Sequence, residues 1–195
     1  MGRSQAEKVL THERILRIAA RKVREEGVTR PGVADLMKEA GLTHGGFYKH
    51  FTSRDDLITQ ASAAALAEGS AKMKRSAGKN EQDPRAGLID AYLAKPHRDT
   101  PATGCALVPL GADAGRDPSL QDAYEKQVRT YLELLEGLDE PAGDARAEAM
   151  LTLSAMVGAV LMSRAVADKG LSDELLETVT GELKRYAAGP TSPTG

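Results

Sequence analysis

Apolar residues recur every three or four positions along most of the chain, and this spacing is typical of amphipathic helices. In the first stretch, Ile15, Ala19 and Val23 fall on one face, while Arg14 and Arg17 fall on the opposite one. Capping residues and glycines mark where each pattern begins and ends. We therefore predict helices over 11–26, 33–40, 43–52, 53–76, 84–94, 105–114, 118–135 and 144–168, with a last helix from Ser172.

No stretch alternates between polar and apolar residues as a half-buried strand would. The predicted fold class is therefore all-α, with an N-terminal three-helix helix-turn-helix domain and a larger C-terminal helical domain. We place the DNA-binding domain at 1–52 and a ligand-binding and dimerisation domain at 53–188. Residues 1–10 and 95–103 are predicted to lack helical structure, and the Pro-, Thr- and Gly-rich tail 189–195 is predicted to be disordered.

Composition narrows the class of protein. The chain is 41% hydrophobic but only 4% aromatic, so its core must be built mainly from Ala, Leu, Val and Met. A single cysteine excludes an intrachain disulfide and a multi-cysteine zinc site, which fits the reducing cytoplasm. No apolar run approaches the roughly 20 residues needed to span a membrane. We predict a cytoplasmic protein with no membrane partner.

The small net charge of −2 hides an asymmetry between the two parts of the chain. Residues 1–60 carry 11 basic and 8 acidic side chains, whereas residues 61–195 carry 15 and 20. A basic N-terminal part on an acidic body is expected where one end of a protein meets phosphates. The excess is modest and does not by itself establish DNA binding.

The ten residues 42–51, which we call the recognition segment, carry the most specific signal. The chain has two phenylalanines, five tyrosines and no tryptophan, and Phe47, Tyr48 and Phe51 all lie here. Gly41 precedes the segment and suits the left-handed turn of a helix-turn-helix. Two packed helices joined by a turn would also explain the apolar positions. The Gly45–Gly46 pair favours DNA binding, because glycines weaken a helix but let its backbone approach a ligand closely.

The polar residues of this segment divide by reach. Thr43 and His44 stand at the exposed start of the second helix, where side chains contact base edges. Gly45 leaves room for the backbone to approach the DNA. The remaining polar residues are long enough to reach phosphate oxygens. These are Tyr48, Lys49 and His50, with Arg54 at the start of the next helix as a further candidate.

The run at residues 36–57 is Leu-Met-Lys-Glu-Ala-Gly-Leu-Thr-His-Gly-Gly-Phe-Tyr-Lys-His-Phe-Thr-Ser-Arg-Asp-Asp-Leu. Through this run, residues 11–58 resemble the N-terminal DNA-binding domain of the TetR family of transcriptional regulators. The resemblance implies about nine helices, a homodimer, palindromic operator DNA and a C-terminal pocket whose ligand reduces DNA affinity. It also assigns Thr43, His44 and Gly45 to bases, and adds Arg30 to the phosphate contacts. Two departures stand out: Met37 replaces a small residue, and Gly32 replaces the usual Ser or Thr cap.

The C-terminal part of the chain leaves several alternatives open. Its last two helices are apolar on more than one face, which fits either a two-fold four-helix interface or a monomer core. Cys105 is either a buried apolar side chain or a thiol sensor, and His97 beside it is a solvated loop residue or part of a Cys/His pair. The candidate ligand-binding residues, which would otherwise be core, are Met73, Tyr92, Cys105, Tyr131 and Met156.

Together these features predict a sequence-specific DNA-binding regulator. We expect a homodimeric repressor that an unknown small-molecule effector releases from double-stranded operator DNA by rotating the helix that starts at Ser53. No catalytic residue, metal site or cofactor is predicted. The alternative is a small-molecule-binding or Cys-dependent helical protein with a vestigial DNA-binding head.

Overall fold

Helices make up most of the part of the chain that the structure describes. The computed structural model describes residues 5–138 and 144–187, and within those ranges it contains helices and no β-strand. The all-α prediction is therefore confirmed. The α-helices are α1 (Gln5–Glu26), α2 (Val33–Glu39), α3 (Arg54–Ala77), α4 (Pro84–Tyr92), α5 (Lys95–Asp99), α6 (Leu107–Ala114), α7 (Pro118–Glu136), α8 (Ala145–Ala165) and α9 (Lys169–Ala187). Two 3₁₀ helices occupy His44–Lys49 and Pro101–Thr103.

The chain forms two compact units. The first contains the described residues up to Gly69 together with Ala102–Lys126, and the second contains Ser70–Pro101 and the described residues from Gln127 onward. The unit boundary therefore falls within α3 and within α7. The functional division of the sequence at residues 52 and 53 stays a prediction. The tail 189–195 lies outside the described residues.

Helix α1 begins earlier than Thr11, where its start is predicted. It begins at Gln5, and Thr11 is buried within it. Residues 5–10 are all exposed, so packing does not explain this start. Glutamine, alanine, glutamate and lysine are good helix formers, and Glu7 in the first turn interacts favourably with the helix dipole. The predicted end is confirmed, since Gly27 follows α1 with φ 76°.

The segment 95–103 is helical, so its prediction as a loop was wrong. Pro96 lies in the first turn of α5. Backbone N–H groups in the first turn of a helix have no acceptor within that helix, so a proline there removes no helical hydrogen bond. Ion pairs then attach α5 to α9 within the second unit. Lys95 Nζ lies 2.6 Å and Arg98 Nη1 2.5 Å from carboxylate oxygens of Asp173. Such long-range pairs are not visible in a local sequence pattern.

Two further boundaries differ for local reasons. Helix α6 begins at Leu107 and not at Cys105, and Pro109 lies in its first turn, where proline does not interrupt a helix. Helix α9 begins at Lys169 and not at Ser172. Asp168 supplies the cap, because its Oδ1 accepts a hydrogen bond from the backbone N of Leu171 at 2.7 Å. The hydroxyl of Ser172 instead donates to the carbonyl of Ser163 at 2.6 Å.

Helix α8 is the one helix of the described ranges that is long and apolar enough to cross a membrane by length and composition. The core helix of a soluble protein meets the same criterion. Helix α8 packs along α9, and buries Leu153, Met156 and Val160 on one side. This packing accounts for part of its apolar composition.

Gly41 is a position where a side chain should be poorly tolerated for backbone reasons alone. Its φ is 68°, and a Cβ built there meets no atom within 4 Å. We expect Gly41→Ala to lower the free energy of unfolding by about 1–2 kcal/mol, since an L-residue is strained in this conformation. Urea unfolding followed by circular dichroism measures this. Gly45→Ala is the matched control, because its Cβ also has open space but its φ is not positive. Equal losses in both variants would contradict the explanation.

Candidate nucleic-acid interface

The turn between α2 and the 3₁₀ helix is fixed by two hydrogen bonds. The backbone N of Leu42 donates to the carbonyl of Met37 at 2.8 Å, and that of Gly41 donates to the carbonyl of Lys38 at 3.0 Å. This pair of bonds with a left-handed glycine is a Schellman motif, which satisfies carbonyls at the end of a helix. The predicted role of Gly41 is confirmed. The motif sets the direction in which the recognition segment leaves α2.

The second helix of the motif is a 3₁₀ helix, so the predicted two-turn α-helix was wrong in type. Thr43 precedes it in an extended conformation, and its side chain makes no capping hydrogen bond. Instead the carbonyl of Thr43 accepts from the backbone N of Gly46 at 2.9 Å. Glycines stabilise an α-helix poorly, and Gly45 and Gly46 fall in its first turn. Helical segments as short as this one are often 3₁₀ helices.

Aromatic packing holds the recognition segment in place. Phe47 and Phe51 are 1% and 3% exposed, and their ring centroids lie 5.6 Å apart. On α1, the ring of His12 stacks on Phe51 with centroids 4.6 Å apart and an interplanar angle of 23°. Sequence reasoning missed His12. Its signal is its place three residues before Ile15, on the buried side of α1.

Met37, the larger residue where the resemblance implies a small one, is accommodated without exposure. Its side chain is fully buried. A Cβ added to Gly46 would lie 3.6 Å from Met37 Cε, so the methionine fills space that a side chain at position 46 would otherwise share. Gly32 begins α2 with no side-chain cap, as its identity predicts.

One set of predicted DNA-binding residues forms an exposed face on this buried base. Tyr48 is 71% exposed although it directly follows the buried Phe47. His50 is half-buried, with its ring centroid 6.2 Å from that of His12. An exposed tyrosine beside a lysine and a histidine offers hydrogen-bond donors to an anionic surface. The exposed members of the set are Thr43, His44, Gly45, Tyr48 and Lys49.

The two predicted phosphate-binding arginines outside the segment have different surroundings. Arg30 is exposed. Arg54 is partly buried, and its guanidinium donates to carbonyls of the turn between α1 and α2. The distances are 2.7 Å to Val28, 3.0 Å to Thr29 and 3.3 Å to Pro31. Arg54 therefore connects the start of α3 to the turn that leads into α2.

The start of α3 is also secured by a reciprocal cap. The backbone N of Asp56 donates to Ser53 Oγ at 3.0 Å, as the predicted cap requires. In return Asp56 Oδ2 accepts from the backbone N and the hydroxyl of Thr52 at 2.8 and 2.9 Å. These bonds, with a further one from Gln60, hold the pKa of the Asp56 carboxyl below its usual range. The cap fixes where the recognition segment ends.

Comparison with known proteins agrees with this geometry. Residues 15–61 match the model of the bacterial regulatory proteins of the TetR family. This region contains α2, the recognition segment and the start of α3. Residues 15–61 therefore form a DNA-binding domain of the TetR type. Over 47 residues it is 36% identical to YvdT of Bacillus subtilis (strain 168), an uncharacterized HTH-type transcriptional regulator, and the match covers 24% of each chain.

Solved structures of similar fold extend the likeness beyond the matched region. A TetR transcriptional regulator from Chloroflexus aurantiacus J-10-FL is 21% identical with a TM-score of 0.81, covering 95% of this chain and 98% of that one. The reduced form of E. coli NemR is 20% identical with a TM-score of 0.74, covering 90% and 95%. At these identities the likeness establishes the fold alone.

The five candidate ligand-binding residues are all buried. Four of them, Met73, Tyr92, Tyr131 and Met156, belong to the second unit, and Cys105 belongs to the first. Burial is expected both of core residues and of residues lining a ligand cavity, so their role in binding stays a prediction.

His97 is not the solvated loop residue that the sequence predicts. It lies half-buried in α5, where Nδ1 is 2.5 Å from the carbonyl oxygen of Tyr92. Burial lowers its pKa, so the ring is held neutral near pH 7. Cys105 is 6% exposed. Among residues 5–138 and 144–187, no three His, Cys, Asp or Glu side chains are grouped as a metal site would require.

Helices α8 and α9 leave an apolar surface exposed on the second unit. Leu151 and Tyr186, one on each helix, are 49% and 53% exposed. They border an open groove of about 730 Å³, which Ala155, Val179 and Leu183 also line. Met150, Leu161, Met162 and Leu171 are further exposed apolar residues of the two helices.

The surroundings of Arg54 predict a role in stability that Arg30 lacks. We expect Arg54→Lys to lower the free energy of unfolding by about 1–2 kcal/mol, because an ammonium group cannot replace the divergent donors of a guanidinium. Arg30→Lys, a matched exchange at an exposed site, should leave it unchanged. Urea unfolding of both variants measures the difference. An unchanged stability of the Arg54 variant would show that its three hydrogen bonds do not hold the turn.

Proposed function

We propose that this protein is a sequence-specific DNA-binding transcriptional regulator. The observation that carries the proposal is the exposed face of the recognition segment on its buried aromatic base. Side chains that read DNA must be exposed, and their backbone must be held rigidly by packing. Tyr48 and Lys49 are exposed, while Phe47 and Phe51 anchor the same short helix. The family of the matched region supports the same function.

We divide the interface by chemistry. Thr43 and His44 contact base edges, and Gly45 lets the backbone approach the duplex. Tyr48, Lys49, His50 and Arg30 bind phosphates. Arg54 acts on DNA binding through the turn that its guanidinium holds, and we assign it positioning in addition to the phosphate contact that its sequence predicts.

The protein is proposed to act as a homodimer through α8 and α9. An exposed apolar groove of this kind is costly in a monomer, and a second copy would bury it by presenting the same surface. Two recognition segments would then contact half-sites about 34 Å apart on a palindromic operator. This arrangement uses the apolar residues of α8 and α9 that the monomer leaves exposed.

Regulation is proposed to be repression that a small-molecule effector relieves in the cytoplasm, without catalysis. The buried residues Met73, Tyr92, Tyr131 and Met156 of the second unit are the candidates for contact with the effector. Cys105 is a separate candidate, as a sensing thiol. The effector would act by favouring a conformation in which the two recognition segments no longer match the operator.

Binding to DNA and its dependence on salt test the function. A duplex is first selected by the protein from a random library, and its affinity is measured by fluorescence anisotropy between about 50 and 200 mM salt. Affinity should fall steeply with salt, since each phosphate contact contributes about 0.9 to the slope of log K against log[salt]. Absent or salt-independent binding would favour the alternative of a small-molecule-binding protein with a vestigial DNA-binding head.

Two variants separate the proposed roles in the same assay. His44→Ala should weaken the selected duplex more than random DNA, because a base contact is lost. Lys49→Ala should weaken both alike and reduce the salt slope by about 2, one contact for each half-site. Lys79→Ala, at an exposed lysine of the second unit, is the charge control, and it should change neither the affinity for the two duplexes nor the salt slope. Equal losses for both test variants on both duplexes would reject the division.

A further inference from the structure

A buried arginine joins three segments of the first unit. Arg24, in the last turn of α1, is 5% exposed. Its Nη1 donates to the carbonyl of Ala102 at 3.2 Å, and its Nη2 donates to the carbonyl of Ala65 at 3.2 Å. Nη2 also pairs with the carboxylate of Glu68, whose side chain is 48% exposed. One guanidinium thus connects α1, α3 and the 3₁₀ helix Pro101–Thr103.

Few side chains could make this connection. A charge this deeply buried requires partners, and a guanidinium supplies five donors that diverge in one plane. Lysine has a single nitrogen at its end and could not reach both carbonyls and the carboxylate in the same way. Loss of Arg24 would therefore release the segment around Ala102 from α1, and would not simply remove a surface ion pair.

The segment that follows Ala102 also lies close to the same end of α1, because α6 packs against α1. At the C-terminal end of α1, a Cβ at Gly27 would lie 3.7 Å from Asp113 Oδ2, which belongs to α6. Between Ala102 and Asp113 in the sequence, the carbonyl of Leu107 accepts a hydrogen bond from the hydroxyl of Tyr124 of α7 at 3.2 Å. Segment 102–114 therefore lies against the part of α1 that leads directly into the turn held by Arg54, and Ala102 is bonded to it through Arg24.

We propose that Arg24 is the positioning residue through which segment 102–105 and the recognition segment influence each other. The proposal rests on the proposed function, because the influence is expressed as DNA affinity. Release of Ala102 would free the end of α1 that supports α2, and DNA binding would in turn hold segment 102–105 closed. Such coupling is reciprocal by thermodynamic necessity.

The single cysteine of the chain makes the coupling measurable. Cys105 lies three residues after Ala102 and is buried, so its reaction with the thiol reagent DTNB reports opening of this segment. The selected duplex should slow the labelling of the wild-type protein by about fivefold or more, the range expected of coupled sites. In Arg24→Gln the duplex should leave the labelling rate unchanged. The affinity of this variant for the duplex should be lower than that of the wild type by the same factor by which the duplex slows labelling of the wild type.

Controls separate coupling from shielding and from general destabilisation. A duplex that merely covers the thiol would protect the bound variant as well as the wild type. Arg85→Gln removes another buried arginine, 2% exposed and bonded within the second unit to the carbonyl of Leu135 at 3.4 Å. Its labelling should still be slowed by the duplex. If Arg24→Gln does not fold, Glu68→Gln, at a half-exposed side chain, should show partial loss of protection.

Three results would contradict either the coupling through Arg24 or the proposed function. Undiminished protection in folded Arg24→Gln, or in Glu68→Gln where only that variant folds, would show that Arg24 does not couple the segments. Unchanged labelling of wild-type protein that binds the duplex would reject the coupling and leave the proposed function standing. Failure of the wild-type protein to bind any selected duplex would reject the proposed function itself.

Discussion

Burial of two phenylalanine rings is the interaction on which the candidate interface depends. The short 3₁₀ helix has too few hydrogen bonds, and too much glycine, to be stable alone. Phe47 and Phe51 anchor it to the core, and the stacking of His12 on Phe51 joins it to α1. This anchoring lets the remaining side chains of the segment stay exposed without becoming mobile. A DNA-binding surface needs side chains that are both held in place and exposed. In the recognition segment the buried phenylalanines hold the backbone in place, and their neighbours are the exposed side chains.

Arginine side chains bind backbone carbonyls at two places where the chain changes direction. The carbonyls of a turn or of a helix end need donors when they are removed from water. Arg54 provides them for the turn before α2, and Arg24 provides one for Ala102. Both arginines act on the last turn of α1 or on the turn after it. The orientation of α2, and with it the recognition segment, is thus tied to elements that lie on either side of it in the sequence.

Local features of the fold could be predicted from the sequence, whereas long-range ones could not. The helix-ending roles of Gly27 and Gly41 follow from backbone conformation, which depends on the residue itself, and both are confirmed. The helix at 95–99 was missed because its ion pairs to Asp173 join residues far apart in the chain. At the interface, the exposed residues were predictable from composition and spacing. The carbonyl contacts of Arg54 were not, because they require the folded turn.

In the proposed function, two copies of this rigid recognition segment contact one DNA duplex at a fixed spacing. Hydroxyl-radical footprinting of the wild-type protein on its selected duplex tests this most directly. We expect two protected patches on one face of the duplex, with centres about 34 Å apart. A single protected patch, or protection spread evenly along the duplex, would contradict it.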